Sequence, residues 1–235
     1  MNPSSHPVAV LTAGALKAVL TKLAEDFRAK TGQFVTITAG TAGQVLDKIA
    51  GGEAADLVFA PFEALARLEK QALVVAGSVI EVGKAGIGVA IREGSTPPDI
   101  TTPAAFRRAL FAARSLGYSD PASGASSGIY FTSVLERLKL TEAVRAKTKL
   151  LSGSVAVQLV ADGKAEIGIH QITEIIPARG VTLAGPLPAE LQKITVYGGG
   201  IMAKAVQPEA AAEFLAFVTG PEAAAGFVAA GFGQF

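Results

Sequence analysis

Short loops of very small and hydroxyl-bearing residues recur along the chain and have the composition of an anion-binding site. They are Thr12-Ala13-Gly14-Ala15, Gly40-Thr41-Ala42-Gly43, Ser123-Gly124-Ala125-Ser126-Ser127-Gly128 and Ser152-Gly153-Ser154. Most of them lie where an apolar strand precedes an amphipathic helix. Because the first turn of a helix has unpaired backbone N–H groups and partial positive charge, loops with little side chain let an anion approach these donors closely. The ligand-binding residues predicted from these loops are Thr12, Ala13, Gly14, Ala15, Thr41, Ala42, Gly43, Ser123, Ser126, Ser127 and Ser154.

A histidine and a glutamine follow another apolar strand and are candidates for the same site. His170 and Gln171 come directly after the segment Ile167–Ile169. An imidazole can bind a ligand or act as a proton donor or acceptor, and a hydrogen-bonded structural histidine is the alternative. We predict His170 and Gln171 as ligand contacts, while Glu174 either adds a carboxylate to this region or is solvated.

The segment Gly124–Gly128 matches the G-x-S-x-G pattern of serine hydrolases, and Asp162 and His170 follow in the order Ser, Asp, His. A nucleophile elbow turns directly after its strand, however, whereas several residues here separate Ser119, at the end of a strand, from Ser126. The pattern therefore favours helix capping over a catalytic triad.

The elements that position these residues have the order of an α/β fold. Apolar or β-branched strands at Val8–Leu11, Phe34–Ala39 and Asp56–Ala60 alternate with segments of helical periodicity. Such an order predicts a mainly parallel sheet flanked by helices, with ligands bound beyond the carboxyl ends of the strands. Further along the chain, Thr102 followed by Pro103 predicts the start of a helix.

The strand order predicts two lobes rather than one long sheet. A glycine-interrupted strand is expected over Ile80–Ile91 and another over Ile194–Met202. We assign residues 1–83 and 197–235 to lobe I and residues 84–196 to lobe II, with the ligand in a cleft between the lobes.

Composition argues against several classes of function. The 21 basic and 20 acidic residues give a formal net charge of +1, so neither nucleic acid nor an anionic membrane surface is an expected partner. The chain has no cysteine and two histidines far apart in sequence, which argues against thiolate chemistry and a metal site. No P-loop or dinucleotide fingerprint is present, so no cofactor is expected. Charged or glycine residues interrupt every apolar stretch before the ~18 residues needed to cross a bilayer, so no direct membrane insertion is expected.

With these loops in place, the chain resembles the periplasmic molybdate-binding proteins of ABC importers and the wider type 2 solute-binding family. The matching segments agree in order and spacing, and they are Val10–Leu16, Gly40–Gly43, Ala55–Val58, Ser127–Tyr130 and Gly168-Ile169. The resemblance implies two α/β lobes, each a mainly parallel sheet flanked by helices. It also implies that the lobes close by a hinge over a small anion, which helix N-termini and hydroxyls bind.

The sequence departs from that family at two ligand positions. Ala15 occupies the place where molybdate-binding proteins usually have a serine, while Thr41 keeps a hydroxyl in the second loop. Gln171 stands where they commonly have a tyrosine, with His170 beside it. Because a tetrahedral oxyanion needs several convergent donors to replace its hydration, we expect a small organic carboxylate, with an inorganic oxyanion as the other ligand class.

The resemblance implies a non-catalytic, periplasmic solute receptor that works with the membrane component of an ABC importer. We expect a monomer. Residues Met1–His6 show no secretory signal, so a cytoplasmic location is the alternative. The same fold also hosts aconitate isomerase, and an isomerase of a small unsaturated carboxylate that uses His170 as acid or base is therefore the alternative function. A cytoplasmic sensor that recruits a protein partner is a third hypothesis.

Overall fold

The computed structural model describes residues 6–152 and 157–233, which form two α/β units. The first unit contains residues 6–84 and 195–230, and the second contains residues 85–194 and 231–233. The units therefore differ from the lobes assigned from the sequence in the placement of residue 84, residues 195–196 and the C-terminal residues 231–233. Gly231 packs in the second unit, where a side chain at its position would come within 2.6 Å of Ile176 and 3.0 Å of Ile172.

The first unit is built on a five-stranded mixed sheet. Its strands are β1 (Val8–Ala13), β2 (Val35–Gly40), β3 (Leu57–Pro61), β4 (Ile80–Ala85) and β10 (Thr195–Ile201). They follow the order β2-β1-β3-β10-β4 across the sheet. β1 pairs in parallel with β2 and β3, whereas β10 is antiparallel to β3.

The helices of this unit follow its strands closely. They are α1 (Gly14–Thr31), α2 (Ala42–Ala50), α3 (Phe62–Lys70), α9 (Pro208–Thr219) and α10 (Pro221–Ala229). α1 buries Leu16, Leu20 and Phe27, which recur at helical spacing, against the rest of the unit. It ends at Gly32, whose φ of 78° is the left-handed conformation that commonly terminates helices.

A buried carboxylate joins three segments of the first unit. Asp56 is only 3% exposed, and it accepts hydrogen bonds from the backbone N–H groups of Ala9 (2.8 Å), Val206 (2.7 Å) and Gln207 (2.9 Å). These bonds link the starts of β1 and β3 to the segment that leads into α9, so they hold the parallel strands in place.

The second unit has its own five-stranded mixed sheet. Its strands are β5 (Ile87–Arg92), β6 (Leu116–Ser119), β7 (Thr148–Leu151), β8 (Ile167–Gln171) and β9 (Val181–Pro186), in the order β7-β6-β8-β5-β9. β6 is parallel to β7 and β8, and β5 is antiparallel to β8 and β9. The helices are α4 (Pro103–Ala112), α5 (Ser126–Arg137), α6 (Thr141–Arg145), α7 (Gln158–Ala161) and α8 (Ile172–Ile175).

The α/β class is confirmed, but two details of the strands differ from the prediction. The expected strand over Ile80–Ile91 is two strands separated at Gly86, with β4 in the first sheet and β5 in the second. Both sheets contain antiparallel pairs beside the parallel ones, because β10 and β5 each run opposite to a neighbour.

Candidate anion-binding site

Two helices of the first unit begin at the carboxyl ends of adjacent parallel strands. α1 follows β1 directly, and α2 follows β2 after the single residue Thr41. Ala13 is the register partner of Gly40 across the two strands, so both helix N-termini lie at the same edge of the sheet. The structure thus brings together the first two small-residue loops.

The two helix N-termini are capped differently. The N-cap residue of α1 is Ala13, which supplies no side-chain hydrogen bond to the first-turn amides. In α2 the Thr41 hydroxyl accepts the Gln44 N–H at 3.1 Å, and the Gln44 side chain accepts the Thr41 N–H at 2.9 Å. This capping box leaves the amides of Ala42 and Gly43 without a side-chain cap.

Two hydroxyls that we predicted as ligand contacts bind the protein's own backbone. Thr12 is fully buried, and its hydroxyl donates to the carbonyl of Ala13 at 3.1 Å. The Ser123 hydroxyl donates to the carbonyl of Asp120 at 2.7 Å. These side chains therefore support the loops.

In the second unit, α5 begins with Ser126 and Ser127 after a short 3-10 helix at Pro121–Ser123. Its N-cap residue Ala125 provides no side-chain cap, and neither serine hydroxyl has a hydrogen bond with a described residue. Gly128 lets the first turn pack against the end of β6, since a Cβ there would lie 1.9 Å from the Ser119 carbonyl oxygen. The first turn of α5 thus offers both amides and free hydroxyls.

Gln171 ends β8 at the same carboxyl edge. β8 is parallel to β6, and α5 packs against both strands. The Gln171 side chain is 2% exposed, and neither of its amide atoms has a partner among the described residues. The hydroxyl of Thr173, two residues later, is also buried and has no hydrogen-bond partner among the described residues. Because buried polar groups are normally hydrogen-bonded, the unpaired amide of Gln171 at the carboxyl edge of the sheet is a candidate ligand contact.

His170 lies on the other face of this sheet. A Cβ added to Gly168 would contact Val160 of α7 and lie 3.4 Å from Cδ2 of His170, which puts His170 on the α7 face. Side chains alternate along a strand, so Gln171 shares the opposite face with Ile169, which belongs to the apolar cluster around α5. Burial lowers the pKa of His170 to about 4, and the imidazole is therefore neutral at neutral pH. It brings no positive charge to an anion.

A further titratable group at this edge is Glu174, in the first turn of α8. Burial raises its pKa to about 7, and the backbone N–H of Gln171 acts in the opposite direction. From the sequence alone, Glu174 is expected either in this region or in solvent. The sequence signal for this residue is its position three residues after the N-cap residue Gln171. A carboxylate at that position commonly accepts a hydrogen bond from the N-cap amide.

The serine hydrolase pattern does not assemble a triad. Asp162 directly follows α7 and accepts hydrogen bonds from the side chains of Gln158 (3.0 Å) and Lys164 (2.9 Å). Both ring nitrogens of His170 lack a partner among the described residues, so Asp162 does not orient this ring.

Three further findings bear on the predicted site. Ser154 lies outside the described residues. Within residues 6–152 and 157–233, no group of side chains is arranged to hold a metal ion. None of the helices described in those ranges has the length and apolar character of a membrane span.

Comparisons with known proteins agree with this fold. The family described as bacterial extracellular solute-binding protein matches residues 8–233. Aconitate isomerase of a Pseudomonas species is 30% identical over 221 residues, which cover 92% of this chain and 83% of that protein. The periplasmic molybdate-binding protein of Azotobacter vinelandii superimposes with a TM-score of 0.80 at 24% identity, over 96% of this chain and 98% of that chain. The sulfate-binding protein of Mycobacterium tuberculosis superimposes with a TM-score of 0.76 at 16% identity, over 97% and 87% of the two chains.

Proposed function

Because the chain belongs to the family of bacterial extracellular solute-binding proteins, we propose that it is a periplasmic solute receptor of an ABC-type importer and binds a small organic carboxylate. One observation carries the choice of an anion. The N-terminus of α5 has no side-chain cap, and the buried amide of Gln171 on the neighbouring strand has no partner among the described residues. Backbone amides at a helix start favour negative charge, and the buried amide can be satisfied by the ligand.

The first unit offers a comparable set of donors. α1 has no side-chain cap, and the amides of Ala42 and Gly43 remain at the start of α2. The two starts lie at adjacent strand ends, so both helix dipoles act on the same region of the sheet edge. Small side chains at Gly14 and Ala15 allow a ligand oxygen to reach the backbone.

The side chain of Gln171 has both a hydrogen-bond donor and an acceptor, which favours an organic ligand over a fully ionised oxyanion. Its amide nitrogen donates to a carboxylate oxygen, while its carbonyl oxygen requires a donor. A hydroxy acid or a partly protonated polycarboxylate supplies such a donor, whereas a fully ionised molybdate or sulfate supplies only acceptors. One relative is an aconitate isomerase, and aconitate is a small carboxylate, which supports the same ligand class.

Isothermal titration calorimetry of the full chain with citrate, cis-aconitate, molybdate and sulfate tests this function. We expect heat with an organic carboxylate and an affinity about tenfold weaker in Ser127→Ala, since one charge-assisted hydrogen bond is worth about 1.5 kcal/mol. Ser133→Ala is the matched control, because this serine lies on the same helix but donates to the Tyr130 carbonyl. Tighter binding of an oxyanion than of every carboxylate, or no heat at all, would overturn the proposal.

A second candidate function is the isomerisation of a small unsaturated carboxylate, and two observations favour it. Aconitate isomerase is a relative at 30% identity, and burial raises the pKa of Glu174 to about 7, which suits a group that moves protons near neutral pH. The pKa of Glu174 suits this role better than the pKa of His170, which burial lowers to about 4. Proton NMR of the chain with cis-aconitate tests the candidate. Turnover that Glu174→Gln abolishes, while binding persists, would establish the isomerase, and bound substrate without turnover would exclude it.

A further inference from the structure

A polar cavity lies within the second unit, at the edge of its sheet opposite to Gln171. It has a volume of about 930 Å³ and is formed at the amino ends of β6 and β8, beside the carboxyl end of the antiparallel strand β5. The charged side chains that line it are Arg92, Arg114, Lys149, Lys164 and Glu166. We call this space the basic cavity.

The basic cavity concentrates positive charge. Four basic residues and one acidic residue line it, whereas the whole chain has a formal net charge of only +1. Positive side chains that converge on a concave surface raise the local potential and attract anions. The cluster is therefore a local feature and does not follow from a generally basic protein.

Two of the four cations already have carboxylate partners. Glu166 accepts from the backbone N–H of Arg114 at 2.9 Å and from its Nε at 3.0 Å, and the Arg114 bonds hold the pKa of Glu166 below its usual range. Lys164 pairs with Asp162 at 2.9 Å. Both pairs are exposed, so their bonds are weak enough for a ligand to compete with them.

The other two cations are available to a ligand. The side chains of Arg92 and Lys149 form no ion pair or hydrogen bond with any residue in the described part of the chain. Lys149 lies on β7 in register with Gly117 of β6, which puts it at the amino end of the parallel strands. Arg92 extends over the turn at Gly163, where a Cβ would lie 3.5 Å from its Nη1. Gly163 has a left-handed φ of 69°, and Arg92 is exposed.

Hydroxyl groups complete the lining. Ser95 and Thr96 contribute hydroxyls from the loop after β5. Ser115 accepts the backbone N–H of Glu166 at 3.1 Å, which leaves its own proton for an anion. The volume lies within the range of small-molecule sites, about 300–1,000 Å³.

We propose that the basic cavity is a second binding site, which takes a small multivalent anion with phosphate or carboxylate groups. Arg92 contacts such a ligand through two parallel N–H bonds, and Lys149 contacts it as a point charge. Two unpaired cations favour a ligand with at least two negative charges. Monovalent anions bind weakly here because the side chains are exposed and salt screens them.

The test is equilibrium binding to the full chain at low ionic strength, with tripolyphosphate and citrate as probes. The variant Arg92→Gln/Lys149→Gln removes both unpaired charges. The control Arg108→Gln/Lys139→Gln removes two exposed charges from the same unit outside the basic cavity. We expect about tenfold weaker binding of the preferred probe to the first variant and little change in the control, since two exposed charge pairs together contribute about 1.4 kcal/mol.

Further measurements separate this site from the carboxylate site. Gln171→Leu should retain tripolyphosphate binding, and binding should weaken as the salt concentration rises. Loss of tripolyphosphate alone in the cavity variant identifies a phosphate site, and loss of citrate alone identifies a carboxylate site. The inference is wrong if neither probe binds the wild type, if both double variants lose affinity equally, or if Gln171→Leu abolishes binding of both probes.

Discussion

Replacement of Gln171 by leucine separates a ligand-binding glutamine from a structural one. The side chain is 2% exposed, and both polar atoms of its amide lack a partner among the described residues. A buried, unsatisfied polar group costs about 1–3 kcal/mol. Leucine has a similar size and no polar atoms, so Gln171→Leu should raise the free energy of unfolding of the ligand-free protein by about 1–3 kcal/mol.

The same change should weaken ligand binding. The variant loses both the donor and the acceptor that the ligand would satisfy, and we expect the affinity for the carboxylate to fall at least ~10-fold, about 1.4 kcal/mol. The assay is thermal unfolding with and without ligand, where 1 kcal/mol corresponds to roughly 2–4 °C in a chain of this size. Without ligand, the variant should have a higher melting temperature than the wild type. Added ligand should raise the melting temperature of the variant by less than that of the wild type.

Gln33 provides the matched control. It is also buried, at 5% exposure, but its amide donates to the carbonyls of His6 (2.9 Å) and Phe34 (3.2 Å). Gln33→Leu should therefore lower the melting temperature and leave ligand affinity unchanged. If Gln171→Leu instead destabilises the ligand-free protein as Gln33→Leu does, and binds ligand as tightly as the wild type, Gln171 is structural and the reasoning fails.

Two other predictions concern stability. Asp56→Ala leaves three backbone N–H groups without an acceptor and should lower the free energy of unfolding by about 3 kcal/mol in urea denaturation. The exposed Asp26→Ala should change it by less than about 1 kcal/mol, and equal effects would contradict the role of Asp56. The pKa of Glu174 is raised from about 4.5 to about 7 in the folded state. Between these two pH values the folded protein keeps a proton that the unfolded chain releases. The contribution of Glu174 therefore lowers the free energy of unfolding as the pH rises through this window. Glu174→Gln should therefore stabilise the protein at pH 8 by on the order of 2 kcal/mol and hardly at all at pH 4, measured by urea denaturation across pH. The same gain at both pH values, or the same pH dependence in the exposed control Glu190→Gln, would exclude titration of Glu174 as the cause.

The sequence predicts the α/β class and several helix starts because these depend on near neighbours. Thr102 and Pro103 begin α4 as expected, with the Thr102 hydroxyl accepting the Ala105 N–H at 3.2 Å. The apolar spacing of α1 and its stop at Gly32 are equally local. Since β1 and β2 are parallel, the order of strands and helices also predicts that the loops beginning at Thr12 and Gly40 meet at one sheet edge.

Only the tertiary structure decides which faces and partners these elements use. The apolar segment Ile80–Ile91 has the composition of one strand, yet neighbours from distant parts of the chain divide it at Gly86 between two sheets. His170 and Gln171 are adjacent in sequence but lie on opposite faces of β8. Their burial, the lowered pKa of His170 and the raised pKa of Glu174 all follow from packing. Local patterns set the conformation of a segment, whereas strand pairing and desolvation come from contacts between residues far apart in sequence, which no local pattern encodes.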